Sequence, residues 1–232
     1  SRRQLPAGSW QALELPDYDL TGTDSHDVIS MGICPNDGTM HLAFDHHNSP
    51  LHYRVSQTGV ITNPTGITWN ASLFGSIQNY VEVGIAPSPL TYPRFILTPD
   101  NDMQFRYRIG SSGNGDDYIV DYDGATHTWS NTRQVTSRLG TYKTSIDRNA
   151  YPNRWEYGPD GNLHVTWTWR EGGLTANHDI MYAYSEDGGT TWLNGNPPSL
   201  FQIKTGVSSG PAQTILSFNG RSSSNPIGLA TG

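Results

Sequence analysis

Three stretches of this chain repeat one another, and the last closes in a complete Asp-box. Residues 185–192 read Ser-Glu-Asp-Gly-Gly-Thr-Thr-Trp, the pattern S-x-D-x-G-x-T-W. Upstream, Asp37, Asp100 and Asp160 each open a turn that leads into an apolar strand, and they are 63 and 60 residues apart. Trp69, Trp129 and Trp192, each preceded by Thr, are 60 and 63 apart. Two landmarks give one period, and a period near 60 with several short strands per unit predicts an all-β fold, a β-propeller of four-stranded blades. Such an array gathers its functional groups at one end, so the repeat also says where chemistry collects.

The repeats run over about 26–69, 92–129 and 151–192 of a single propeller domain or fragment spanning 1–232, with 193–232 expected to be a linker and the start of a further blade. At that period 232 residues make roughly four blades. The stretch holding Ser208-Ser209-Gly210 and Ser222-Ser223-Ser224 reads as loop. A cut-open array bares an apolar blade face, so a C-terminal remainder of the propeller is expected as a second piece. In the first repeat, strands are expected at about Val28–Cys34, Thr39–Phe44 and Leu51–Ser56, with a fourth ending near Trp69. In the second they fall at about Phe95–Thr98 and Met103–Arg108, and in the third at Arg154–Gly158 and Leu163–Trp169.

Composition narrows the partners. Net charge is −7 with no basic block, which argues against nucleic acid, and no apolar run approaches the ~18 residues of a membrane span. Cys34 is the single cysteine, and Asn70-Ala71-Ser72 is a glycosylation sequon that hints at an extracellular, secreted protein.

An antiparallel hairpin puts the start of its first strand beside the end of its second. His26 precedes the first hairpin and His46-His47 follow it; Tyr92 and Arg108 bracket the second, Tyr151 and Arg170 the third. Histidine, tyrosine and arginine converging on one mouth suit an anionic substrate and proton transfer. β-Elimination at a uronic acid needs that set. Arg offsets charge on the carboxylate, a His or Tyr takes the C5 proton, and a second group protonates the departing O4, with no cofactor required for the chemistry.

Ser25-His26-Asp27, the run from Asp37 to Asn48, Thr91-Tyr92-Pro93-Arg94-Phe95, the run from Phe105 to Asp116, and Trp167–Glu171 through Asn177-His178-Asp179-Ile180 to the Asp-box resemble the BNR-repeat family of polysaccharide lyases. That family includes ulvan lyases, L-rhamnose-α-1,4-D-glucuronate lyases and a related α-L-rhamnosidase group. The resemblance implies a seven-bladed ring of which this chain supplies roughly half. It implies His26 and His46 as the site histidines, Tyr92 as the site tyrosine, Arg108 as the arginine that neutralises the uronate, and Arg170 as a further substrate arginine. Of the adjacent pair, His46 is preferred over His47, because side chains alternate along an extended segment. His47, Arg94, Asn114 and Tyr151 complete the expected substrate contacts, Asn114 through a Gly-rich mouth loop at 111–117. Some members hold a structural calcium, to which Asp116 and Asp117 could contribute. His41, His164 and His178 read as structural, Trp167 and Trp169 as blade packing, and Arg106 as a surface or inter-blade residue turned away from Arg108.

The expected activity is a lyase cleaving an L-rhamnose–glucuronate linkage in a uronate-containing glycan of the gum arabic or ulvan type. The rivals are an endo-acting ulvan lyase, an α-L-rhamnosidase and a glycan-binding propeller without catalysis.

Overall fold

The computed structural model describes residues 1–20, 22–142, 145–171, 177–194, 199–200 and 214–216. The Ser-rich stretches near 208 and 222 lie outside them. The described chain is all-β apart from one short 3-10 turn at Ala71–Leu73, and every strand pair is antiparallel. Among the described residues no helix is long and apolar enough to cross a membrane.

The strands form three sheets. The first runs β1 (Ile29–Cys34), β2 (Thr39–Phe44), β4 (Tyr53–Val55). In the second, the order is β3 (His47–Ser49), β5 (Leu90–Leu97), β6 (Met103–Ser111), β7 (Asn114–Asp123), β8 (Thr128–Gln134). The third contains β9 (Gly140–Tyr142), β10 (Ser145–Tyr157), β11 (Leu163–Glu171), β12 (Asn177–Ser185), β13 (Leu193–Asn194) and β14 (Ser199–Leu200), with β15 (Thr214–Leu216) also on β12. Each repeat thus owns one sheet. β3 is the exception: it leaves the first repeat and pairs with β5, His47 opposite Thr91.

The aspartate turns form as their residue types dictate. Asp37 accepts from the Thr39 N–H at 2.9 Å and the Thr39 hydroxyl at 2.7 Å. In the Asp-box, Asp187 accepts from the Thr190 and Thr191 N–H groups and the Thr191 hydroxyl, while Ser185 accepts from the Gly189 N–H. These turns also clasp neighbours. Tyr122 of the second sheet donates to Asp37 at 2.6 Å, and the Gly188 carbonyl accepts from Gln104 of the second sheet at 2.8 Å.

One core lies between the first and second sheets around Tyr53, Phe105, Tyr122 and Trp129, and another between the second and third around Ile119, Trp155, Trp167 and Trp192. Trp129 donates to the Tyr53 hydroxyl at 3.0 Å. Close approach of β1 to β5 depends on Gly32, where an added Cβ would meet Phe95 at 2.6 Å. Trp167 and Trp169 are buried packing residues. His41 bridges Thr39 and Tyr53, and His164 bridges Asp160 and Tyr182, so both occupy hydrogen-bonded structural positions.

Two expectations need correcting. No strand ends at Trp69, which is half-buried beneath the Arg2 guanidinium at 4.9 Å; the free edge of β4 is met by single bridges from Gln78 and Phe74. Trp69 shares the spacing of the other two tryptophans but not their place between sheets. Arg106 does not turn away from Arg108. Two residues apart on β6, they share one face and one partner, the buried Asp117.

Candidate active site

The open ends of the hairpins bring six of the expected residues together: His26, His47, Tyr92, Arg108, Tyr151 and Arg170. Asp45 (φ 58°) and Asn48 (φ 64°) adopt left-handed backbone on either side of the two histidines. Between them the pair splits, His46 turning inward and His47 opening β3 opposite Thr91. His46 is fully buried: its Nδ1 meets the Ser49 hydroxyl at 3.1 Å and its Nε2 accepts from the His52 N–H at 3.2 Å. Burial pulls its pKa down to about 4, so the ring is neutral at neutral pH. His47 turns outward and stacks on His26 with ring centroids 4.7 Å apart. The structure thus places His46 beneath the mouth and His47 beside His26 at its surface.

Asp24 holds the pair, of which His26 is exposed and His47 half-buried. Its Oδ1 lies 2.7 Å from Nδ1 of His26 and its Oδ2 2.5 Å from Nδ1 of His47. The His26 N–H, then the His47 and His26 side chains, keep its carboxyl well below the usual range. A carboxylate that accepts Nδ1–H from both rings leaves both Nε2 atoms as free bases. Sequence reasoning passed over Asp24; its signal was the Asp-x-His spacing, which lets one side chain reach both the His26 N–H and its ring.

Tyr92 has a ring centroid 6.2 Å from that of His47 and sits at φ 53°, in a bulge where β5 shifts register against β6 between Thr91 and Arg94. Left-handed backbone at a bulky residue is a strain that marks functional sites. Its hydroxyl meets that of Tyr151 at 3.5 Å. Burial, with the Tyr151 contact, raises the Tyr92 pKa to about 12. The guanidinium groups of Arg108 and Arg170 lie 4.7 Å and 5.6 Å from the Tyr151 ring centroid.

Arg108 lies deeper than expected. It is 1% exposed, donates to the Ala150 carbonyl at 3.1 Å and to Asn149 at 3.4 Å, and faces Asp117 at 3.7 Å. Gly115 makes this room, since a Cβ there would sit 2.4 Å from the Arg108 Nε. Arg108 therefore contributes positive charge from beneath Tyr151, and Arg170, half-buried, is the more accessible guanidinium.

The remaining expected contacts are placed as follows. Asn114 is exposed at the tip of the β6–β7 hairpin, opposite Ser111 and beyond the Arg108 end of β6, and residues 111–117 form a tight turn and strand. Arg94 lies in a groove of about 640 Å³ with Asn153, Arg154 and Glu156. The two calcium candidates do not fit that ion, because Asp116 is held by Arg138 at 2.7 Å and Asp117 by Arg106, Arg108 and Thr136. His178 contacts Glu171 and Asp179, each at 3.0 Å.

A model of BNR repeat-containing family members matches residues 1–217. The chain is 23% identical over 211 residues to the long-isoform ulvan lyase of Glaciecola sp. (strain KUL10), covering 74% of this chain and 20% of that protein. It is 26% identical over 216 residues to the short-isoform ulvan lyase of Alteromonas sp. (strain LOR), covering 74% and 39%. Among solved structures, polysaccharide lyase Uly1 superposes with a TM-score of 0.66 at 20% identity, covering 83% of this chain and 47% of that one. An ulvan lyase of family PL25 bound to -[GlcA(1-4)Rha3S]- gives a TM-score of 0.60 at 14% identity, covering 88% and 49%. The chain thus spans well under half of these curated relatives and about half of these solved structures.

Proposed function

The chain belongs to the BNR repeat-containing family, and on that footing we propose that it is the catalytic part of a secreted polysaccharide lyase acting on a uronate-containing glycan. The bond assigned is an L-rhamnose-α-1,4-D-glucuronate linkage, broken by β-elimination. One observation carries the reading: an exposed and a half-buried imidazole, stacked and fixed by one carboxylate, stand beside a strained, protonated tyrosine backed by arginine charge. Support also comes from relatives named ulvan lyase, one of them bound to a glucuronate–rhamnose sulfate unit.

The chemistry distributes as follows. An Nε2 of the His26–His47 pair takes the C5 proton, and the electron pair forms the C4–C5 double bond. The C4–O4 bond breaks and O4 receives a proton. Tyr92, with a pKa near 12, stays protonated at neutral pH and suits the role of acid. Arg170 directly, and Arg108 from behind Tyr151, offset the charge that builds on the carboxylate. A hydrolase would instead need two carboxyls about 5–10 Å apart across the bond. The neighbouring acids Asp27 and Asp45 hydrogen bond to each other instead.

The three sheets are read as consecutive blades of a seven-bladed ring completed by further polypeptide. β1 supports this: Ile29, Met31 and Ile33 are 63%, 56% and 40% exposed, while Ser30 and Cys34 pack inward, leaving an apolar stripe for another sheet.

The test is incubation of the ring-complete protein with gum arabic and, separately, ulvan, following the ultraviolet absorbance of an unsaturated uronate and the release of rhamnose. Absorbance with free rhamnose supports the assigned bond, and absorbance with ulvan alone moves the substrate to ulvan. Rhamnose without absorbance overturns elimination in favour of hydrolysis. Saturable binding with neither product leaves a glycan-binding protein.

A further inference from the structure

The Asp24–His26–His47 cluster has a chemistry beyond acid–base exchange. One ligand atom from each residue can be chosen so that all three lie within 4.8 Å of one another. Two imidazole nitrogens and a carboxylate oxygen suit zinc and its first-row neighbours, whereas calcium and magnesium favour oxygen ligands. Zinc–ligand distances of about 2.0–2.2 Å set tetrahedral ligands roughly 3.4 Å apart, so these exposed side chains need shift by only about 1 Å. The surroundings favour a cation as well. Asp27 and Asp45 hydrogen bond to one another beside the cluster. Among the described residues no arginine or lysine forms an ion pair with Asp24, Asp27 or Asp45. Among the described residues the donors that meet this negative charge are the two imidazoles and the His26 N–H on Asp24, and the Tyr18 hydroxyl on Asp45.

We propose that Asp24, His26 and His47 form a binding site for one divalent transition-metal ion of the zinc class. Coordination through both Nδ1 atoms puts the remaining ring protons on Nε2, so the occupied site has no free imidazole base. On the lyase reading given above, the metal therefore switches elimination off; the binding itself does not depend on that reading.

Metal-free protein titrated with Co²⁺, read by visible absorption, and with Zn²⁺, read by calorimetry, should bind one equivalent of either. Asp24→Ala and His47→Ala should each weaken binding by about 10–100-fold or more. His127→Ala, at an exposed histidine paired with Asp37 on the turn side, should leave it unchanged. Circular dichroism of each variant separates lost ligands from lost fold. No saturable binding of either ion, or binding that survives both substitutions in folded protein, overturns the site. An elimination assay with and without one equivalent of Zn²⁺ separates the two readings. Binding with undiminished activity overturns the inhibitory role, whereas no elimination in metal-free protein overturns the lyase reading and leaves the binding result standing.

Discussion

The two ends of the hairpins are built from similar residues to opposite effect. At the turn end, Asp37, Asp160 and Asp187 are each saturated by hydrogen-bond donors a few residues away, and the turns also grip the neighbouring sheet. At the open end, the Asp24 oxygens accept from the imidazoles of exposed His26 and half-buried His47, and Asp45, Asn48 and Tyr92 hold left-handed backbone. One end maximises local satisfaction; the other leaves Nε2 atoms and a strained hydroxyl available. Left-handed backbone also occurs in the turns, at Asn101 and His127, so what distinguishes the open end is the availability of its side chains.

Substitutions can break that contrast. The largest effect belongs to the histidine pair. His47→Ala should lower the elimination rate by about 10²–10⁴-fold with little change in melting temperature. His46→Ala should do the reverse, destabilising the fold by leaving the buried His52 N–H without its acceptor. A retained rate in His47→Ala removes His47 from the site. Next, Trp129→Ala should cost about 3–5 kcal/mol in denaturant unfolding, since it empties the seam between two sheets. Third, His41 and His46, buried and each lowered to about 4 from 6.5, make stability fall as pH drops from about 6.5 to 4. In that window the unfolded chain binds protons that the folded chain refuses, worth on the order of 3 kcal/mol per histidine. Melting temperatures measured across the window should decline, and His46→Gln should flatten the decline.

A smaller loss, about 1–3 kcal/mol, is expected for Asp187→Ala, which removes the acceptor for the Thr190 and Thr191 N–H groups and for the Thr191 hydroxyl. Burial alone would raise this carboxyl's pKa, but those donors and Ser185 win, and the net shift is downward. Its contribution is therefore present above its unfolded value of 3.8 and lost as pH falls below it. The smallest effect, within about 1 kcal/mol, belongs to His127→Ala, whose bond to Asp37 is made by an exposed ring.

What could be read in advance was local. The turn aspartates, the second strands of the hairpins and the gathering of His, Tyr and Arg at their open ends all follow from residue type and short spacing. The unread features were set at a distance or by unusual backbone. The burial of His46 depends on the turn that seats its ring against Ser49 and the His52 N–H. The depth of Arg108 depends on Asn149 and Ala150, 41 and 42 residues away, and on the missing side chain of Gly115. Trp69 kept the repeat spacing while its segment left the sheet, because sequence period records spacing and not the strand pairing that realises it.

The clasp of the Asp-box on the second sheet also has a consequence in time. The Gly188 carbonyl that Gln104 binds lies 84 residues further along the chain. At synthesis rates of about 5–20 residues per second, Gln104 waits roughly 4–17 s for its acceptor to be made. The Tyr122 donor for Asp37 comes 85 residues after it. Each sheet therefore leaves the ribosome before the latch that secures it, and the growing protein always trails one unlatched sheet at its newest end.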